Sequence, residues 1–168
     1  CEGPWINEFH YKNAGADTGE FLEIAGPAGS SLDGWKVVLY GSSGASYAEV
    51  SLNGSIDDEL NGIGALDFEA SRNLQGRGGL ALVDSSGHVV EFLSYGGDFT
   101  ASDGPAQGLT ATDVGVAEDD STPVGNSIQR TGNGTDFRWQ APQAESRGTL
   151  NPSQLIYPDA WINEFHYH

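Results

Sequence analysis

The sequence predicts an all-β domain, and three observations carry that prediction. Turn residues are dense, with 24 Gly and 7 Pro in 168 residues. The apolar runs between them are short and tend to alternate, as half-buried strands do. Stretches of strong helix formers are few, and Met is absent. A chain of this length fits a single domain, which buries roughly 68–70% of its unfolded surface and needs no covalent staples.

In chain order, the first strand is Trp5 to Tyr11, with Trp5, Asn7, Phe9 and Tyr11 expected on one face and Ile6, Glu8 and His10 on the other. Glu20 to Ala25 alternates in the same way, ends at the turn signal Gly26-Pro27, and is a natural partner for the first strand. After the turn Ser31–Gly34, the run Trp35 to Tyr40 is apolar on both faces and reads as a central strand. Tyr47 to Leu52 alternates more weakly and closes at Asn53-Gly54. Ser55 to Asp67 reads as a long ordered loop with a short strand near Ala65 to Phe68. Leu80 to Asp84 and His88 to Tyr95 flank Ser85-Ser86-Gly87 and form the clearest hairpin. The stretch from Gly96 to Pro123 has no sustained period and exceeds ordinary loop length, so it is either a functional surface loop or a segment packed by its own side chains. Gly125 to Thr131 and Asp136 to Gln140 are late strands, with Ile128, Phe137 and Trp139 expected inside.

One stretch occurs twice: WINEFHY stands at Trp5–Tyr11 and again at Trp161–Tyr167. Seven identical residues, among them a Trp, a Phe and a Tyr, do not recur by chance. Three accounts are open. The second copy opens a following unit of a tandem array; or it inserts beside Glu20 to Ala25 of a neighbouring molecule and grows a head-to-tail filament by strand addition; or it is an artificial duplication. The first two make Trp5, Ile6, Phe9, Tyr11, Trp161, Ile162, Phe165 and Tyr167 the assembly residues, with the slot next to Glu20 to Ala25 at an edge of the fold. Residues 1–4 form a lead, 5–150 the domain, 151–160 a Pro-containing linker and 161–168 the duplicate.

The net charge is −17, from 7 Lys plus Arg against 24 Asp plus Glu. The few basic residues are scattered, which excludes a nucleic-acid partner, since that affinity rests on a basic patch. Cys1 is the single cysteine, so an intrachain disulfide is excluded. Cys1 reads as a lipidated first residue or as a simple boundary of the chain, and a membrane is a partner only in the first case.

Taken together, INEFHY, the run GEFLEIAGPAGSSLDGWKVVLY, the hairpin GLALVDSSGHVVEFLSY and NSIQRTGNGTDFRWQAP resemble the lamin tail domain family in its bacterial, extracellular form, over about Trp5 to Asn151. The resemblance implies an immunoglobulin-like β-sandwich of mainly antiparallel strands with long loops. It also implies a non-catalytic attachment or interaction module of secreted and surface proteins, often repeated or placed beside secreted nucleases or phosphatases.

The residues offer little to an enzyme. A nucleophilic triad needs a base, and the histidines are His10, its copy His166, His88 beside a hairpin turn, and His168. Neither a nucleophile elbow nor a phosphate-binding Gly loop followed by a helix is present. Zinc lacks ligands. Calcium, which takes hard oxygen ligands, has two candidate sets, Glu8 with Asp17 and Glu20, and Asp57, Asp58 and Glu59, with Glu118, Asp119 and Asp120 a weaker third. A solvated acidic surface is the ordinary alternative for each. Trp5, Trp35, Trp139 and Trp161 could offer a carbohydrate platform, although alternating aromatics more often belong to a core. The reading is an extracellular or cell-surface structural and adhesion module whose partner is itself, and beyond that a surface or matrix polymer. The alternative is an accessory domain that binds a glycan, surface or polymer for a secreted enzyme such as a nuclease.

Overall fold

The structure is a computed structural model, and it describes residues 3–70, 72–133 and 136–156. Cys1 and the second WINEFHY, with Trp161, Ile162, Phe165 and Tyr167, lie outside the described residues. Eleven strands are described: β1 (Trp5–His10), β2 (Phe21–Pro27), β3 (Lys36–Gly41), β4 (Ser46–Ser51), β5 (Ile63–Glu69), β6 (Gly78–Val83), β7 (Val89–Tyr95), β8 (Thr112–Asp113), β9 (Asn126–Asn133), β10 (Asp136–Ala144) and β11 (Gln154–Leu155). They form a β-sandwich. One sheet runs β10-β9-β1-β2-β5, with β11 also on β9, and the other runs β4-β3-β6-β7-β8. Pairing is antiparallel except β11 on β9 and β8 on β7.

The core between the sheets is made by the inward residues of both. Ile6, Phe9, Leu22, Ile24 and Ile128 of the first sheet meet Val37, Leu39, Leu80, Leu82 and Leu93 of the second. The expected hairpin is β6–β7, turned at Asp84, whose carboxylate accepts from the Ser86 and His88 amides while Gly87 takes φ +88°. β3 is central, between β4 and β6, as its two apolar faces predict. Its second face is covered from outside: Val38 and Tyr40 pack with Ala81, Phe92 and the loop residues Ala101, Ala106 and Ala111. The Tyr40 hydroxyl donates to Asp103 O and accepts from Ala106 N. The aperiodic stretch after Gly96 is therefore a packed cover for the second sheet, held by small residues that let backbone lie close to strands.

Three expectations are corrected. The strand near Ala65 spans seven residues, Ile63–Glu69, and pairs along the whole of β2. Its outer flank conceals it from periodicity, since Leu66 and Phe68 face the core while Ala65 and Asp67 face outward beneath later chain. The described part of the linker expected over 151–160 is docked chain: 151–156 contains β11, and Asn151, Gln154 and Ile156 are buried on the domain. The slot beside Glu20 to Ala25 is interior to its sheet: β1 lies between β2 and β9.

Close backbone approach makes one sharp test of this architecture. A Cβ on Gly64 would stand 2.0 Å from the Asp57 carbonyl oxygen, so β5 and the loop before it touch backbone to backbone. Gly64→Ala is expected to cost about 1–3 kcal/mol by overpacking, read as a drop in Tm of about 2–4 °C for each kcal/mol in a domain of this size. An unchanged Tm would show that the loop does not press on β5.

Candidate functional site

The seat of the repeated strand is the best-defined site in the molecule. A β-bulge between Ile6 and Glu8 shifts the alternation of β1. Ile6, Phe9 and Tyr11 consequently enter the inter-sheet core, while Trp5, Asn7, Glu8 and His10 line the outer face. Simple period-two counting had joined Trp5 and Asn7 to Phe9 and Tyr11 and set Ile6 with Glu8 and His10; the extra residue at the bulge is the reason it fails.

Every residue of the first copy has its own partners. Trp5 stacks on Phe137 and donates its indole N–H to Asn7 Oδ1 at 3.0 Å. Ile6 gives its amide to Glu91 of the second sheet and accepts Arg130 Nε at 2.8 Å, and Arg130 is itself paired with Glu91. The Asn7 side chain forms a reciprocal amide pair with Gln154, donating at 3.0 Å and accepting at 2.8 Å, and also donates to Glu23 Oε1 at 2.9 Å. Phe9 sits among Tyr11, Tyr95 and Trp139. Tyr11 stacks on Tyr95 at 4.3 Å between centroids.

His10 is held at both ring nitrogens, Nδ1 at 2.9 Å from Glu118 Oε1 and Nε2 at 3.1 Å from Asn13 Oδ1. The Asn13 amide nitrogen donates to the Ala14 and Ala16 carbonyls, so its oxygen must face the ring. Two acceptors call for two N–H donors, the arrangement that an imidazolium satisfies. Burial alone would pull its pKa down, but the hydrogen bond and charge of Glu118, with Asn13, outweigh it and the net shift is upward. Glu118 also accepts from the Tyr11 and Lys12 amides at 2.7 and 2.8 Å.

The outer face of β1 is roofed by the segment 145–156, the arm that leads toward the second copy. Its backbone docks on carboxylates in the way a strand docks on a sheet edge. The amides of Ser146, Gly148 and Leu150 donate to Glu8, Glu23 and Glu59 at 3.0, 2.8 and 2.8 Å. Between these contacts Arg147 pairs with Asp67 and lies 4.9 Å above the Phe21 ring. Asn151 Nδ2 donates to the carbonyls of Asn7 and Arg130, and Asn61 Nδ2 donates to Ile156 O at 2.7 Å. Glu8 and Glu23 are register partners on adjacent strands and fully buried. Burial raises the Glu8 pKa against the opposing hydrogen bonds from Ser127 and Ser146. It pushes Glu23 up to about 8, Asn7 opposing and the Glu8 charge adding to the rise.

The residues expected to bind calcium are distributed among structural duties. Glu8 lies beneath the arm, Asp17 pairs with Lys12 at 3.2 Å, and Glu20 accepts the Leu74 amide. Asp17 and Glu20 share the rim of a cavity of about 230 Å³ with Arg147. Asp58 accepts the Gly62 amide, and Glu59 those of Ala65 and Leu150. Among the described residues no group of three or more His, Cys, Asp or Glu is arranged to hold a metal ion. Sequence reasoning missed Glu23, Asn151 and Gln154, and it offered Glu118 only as a weak calcium ligand, whereas Glu118 holds His10 and two backbone amides. The signal for Glu23 was an acidic residue on the strand paired with Glu8; the other three are brought to β1 by long-range chain paths that no local pattern records. Comparison of the chain with protein-family models, with curated proteins and with solved structures found no match.

Proposed function

We propose that this protein is a non-catalytic structural and adhesion module of bacterial cell surfaces, an immunoglobulin-like sandwich of the lamin tail kind that joins head to tail through its repeated strand. One observation carries the reading: each residue of Trp5–Tyr11 fills a dedicated buried position with specific partners. An identical heptapeptide has the same volumes and the same donors and acceptors, so Trp161–Tyr167 has this seat, in another unit, as its best binding site. Because the seat is enclosed by β2 and β9, the second copy cannot add alongside an intact domain. It becomes the first strand of a following unit, or it exchanges with β1 of a neighbour. The acidic surface, at net charge −17, suits solubility in a salty exterior.

Light scattering of the 168-residue chain at rising concentration tests the exchange, with Phe165→Asp as control. The expected result is growth in mass for the native chain and none for the variant. In the tandem form, a chain in which residues 12–156 follow the second copy is expected to unfold as two units of equal stability. A native chain that stays monomeric throughout, together with a tandem chain that folds only one unit, overturns the reading.

A further inference from the structure

We propose that Glu8 and Glu23, buried face to face under the arm 145–156, form a proton-operated latch that holds the arm on the domain and releases it when both carboxyls ionise. The inference rests on the assembly reading above, because the arm is the segment that carries the second copy.

The geometry is a row of carboxyls at register positions across three strands, Glu8 on β1, Glu23 on β2 and Asp67 on β5. Like charges directly opposite on neighbouring strands repel. The neighbourhood supplies little to offset this. The loop before β5 adds Glu59, the arm adds Glu145, and the end of β5 adds Glu69. β9 presents only the neutral Ser127 and Gln129, its Arg130 being engaged with Glu91. Among the described residues the one cation in reach is Arg147, and it is committed to Asp67 and Glu69. Two buried carboxyls with no cation of their own are accommodated by sharing a proton.

The partners indicate which one keeps it. Glu8 accepts from Ser127, Gln129 and the Ser146 amide and has the Ser146 hydroxyl in reach, a set suited to a carboxylate. Glu23 has two donors, Asn7 and the Gly148 amide, and is the carboxyl whose pKa is raised to about 8. Loss of its proton places a second charge beneath Gly148, at the centre of the docked run 146–150. Separation of the arm from the sheet then lets water reach both charges. The run 146–150 is held by amide hydrogen bonds to Glu8, Glu23 and Glu59, by Arg147 on Asp67 and Phe21, and by Leu150 packed beside Trp5, Ala25 and Ala65. Two of its three carboxyl anchors are the pair that gains the charge, whereas β1 and β2 are fixed by ladder pairing on both sides, so this run is the element that yields.

Amide hydrogen exchange of residues 146–150 in the full chain, corrected for intrinsic rates and compared at pH 6 and pH 9, tests this. The expected result is protection at pH 6 that falls about tenfold or more by pH 9, one unit past a group's pKa changing the ratio of its forms tenfold. In Glu23→Gln, and by a second route in Glu8→Gln, protection stays level across the same range. Equal protection of the native arm at both values, or the same loss in both variants, overturns the latch. Light scattering on the same samples separates the two ideas. An arm that loosens without assembly leaves the latch standing and removes the exchange reading, whereas assembly at both pH values with a fixed arm does the reverse.

Discussion

Phe9→Ala is expected to destabilise the domain by about 3–5 kcal/mol, the cost of emptying a large aromatic site in a packed core. Phe9 is fully buried, and its ring meets Tyr11, Tyr95 and Trp139. These neighbours are themselves anchored, Tyr11 through its hydroxyl to Glu118 and Trp139 under Arg130, so they cannot collapse into the space. Against a typical total of about 5–15 kcal/mol, that loss consumes much of the stability. The same substitution at Phe165, in the second copy, is expected to leave unfolding of the monomer unchanged. Urea denaturation followed by Trp fluorescence checks both. Equal losses at the two positions would show that the two copies bear equally on the fold of one molecule, and the assembly reading would lose its basis.

The contrast between these two positions depends on β1 being interior, and that was not legible from sequence. The hairpin β6–β7, the central position of β3 and the pairing of β1 with β2 were legible, because each rests on local alternation and turn chemistry. The bulge in β1 was not, since an inserted residue leaves no mark in a strand whose two faces both carry bulky and polar groups. β5 reads as no more than a short strand near Ala65 to Phe68 because its polar residues point at the arm, and the end of the arm, from Asn151, reads as linker because its Pro mimics one. Both misreadings share a cause: a second layer of chain covers the outer face of the first sheet, so polar residues there are buried and polarity no longer reports exposure.

Acidity was also legible only in part. A surplus of carboxylates suggested cation sites, yet many of them accept backbone amides where strand pairing stops. Asp33 holds Gly54, Asp103 holds Ser46, Asp84 holds Ser86 and His88, and Asp98 holds Asp113. The row under the arm and the Glu118 site are larger versions of the same device. In a Gly-rich fold with eleven described strands and long excursions, side-chain carboxyls complete the hydrogen bonding that strands would otherwise supply. The sequence cost of that solution is negative charge, which requires some of those carboxyls to keep a proton or find a cation.

The Glu118 site found its cation in His10, and removing the carboxylate has the second large expected effect. Glu118→Ala strips acceptors from His10 Nδ1 and the Tyr11 and Lys12 amides at once, and breaking a buried pair from one side costs about 3–5 kcal/mol. The sign of its pH dependence follows from the raised His10 pKa. Stabilisation by the protonated ring is complete below the ordinary value of 6.5 and is lost as pH rises through the higher folded value. Glu23 acts in the same direction: its folded pKa of about 8 against an ordinary 4.5 gives stability that is full below 4.5 and fades up to and through about 8. Native stability is therefore expected to be greater at mildly acidic pH than at pH 9. The penalty of Glu118→Ala is expected to be largest on the acid side and to shrink once the imidazole is neutral, leaving the share due to the two unpaired amides. Thermal melts of both proteins from pH 5 to pH 9 measure it. A constant gap between the two curves would mean that His10 carries no charge in the folded protein, and that its contact with Glu118 is an ordinary neutral hydrogen bond.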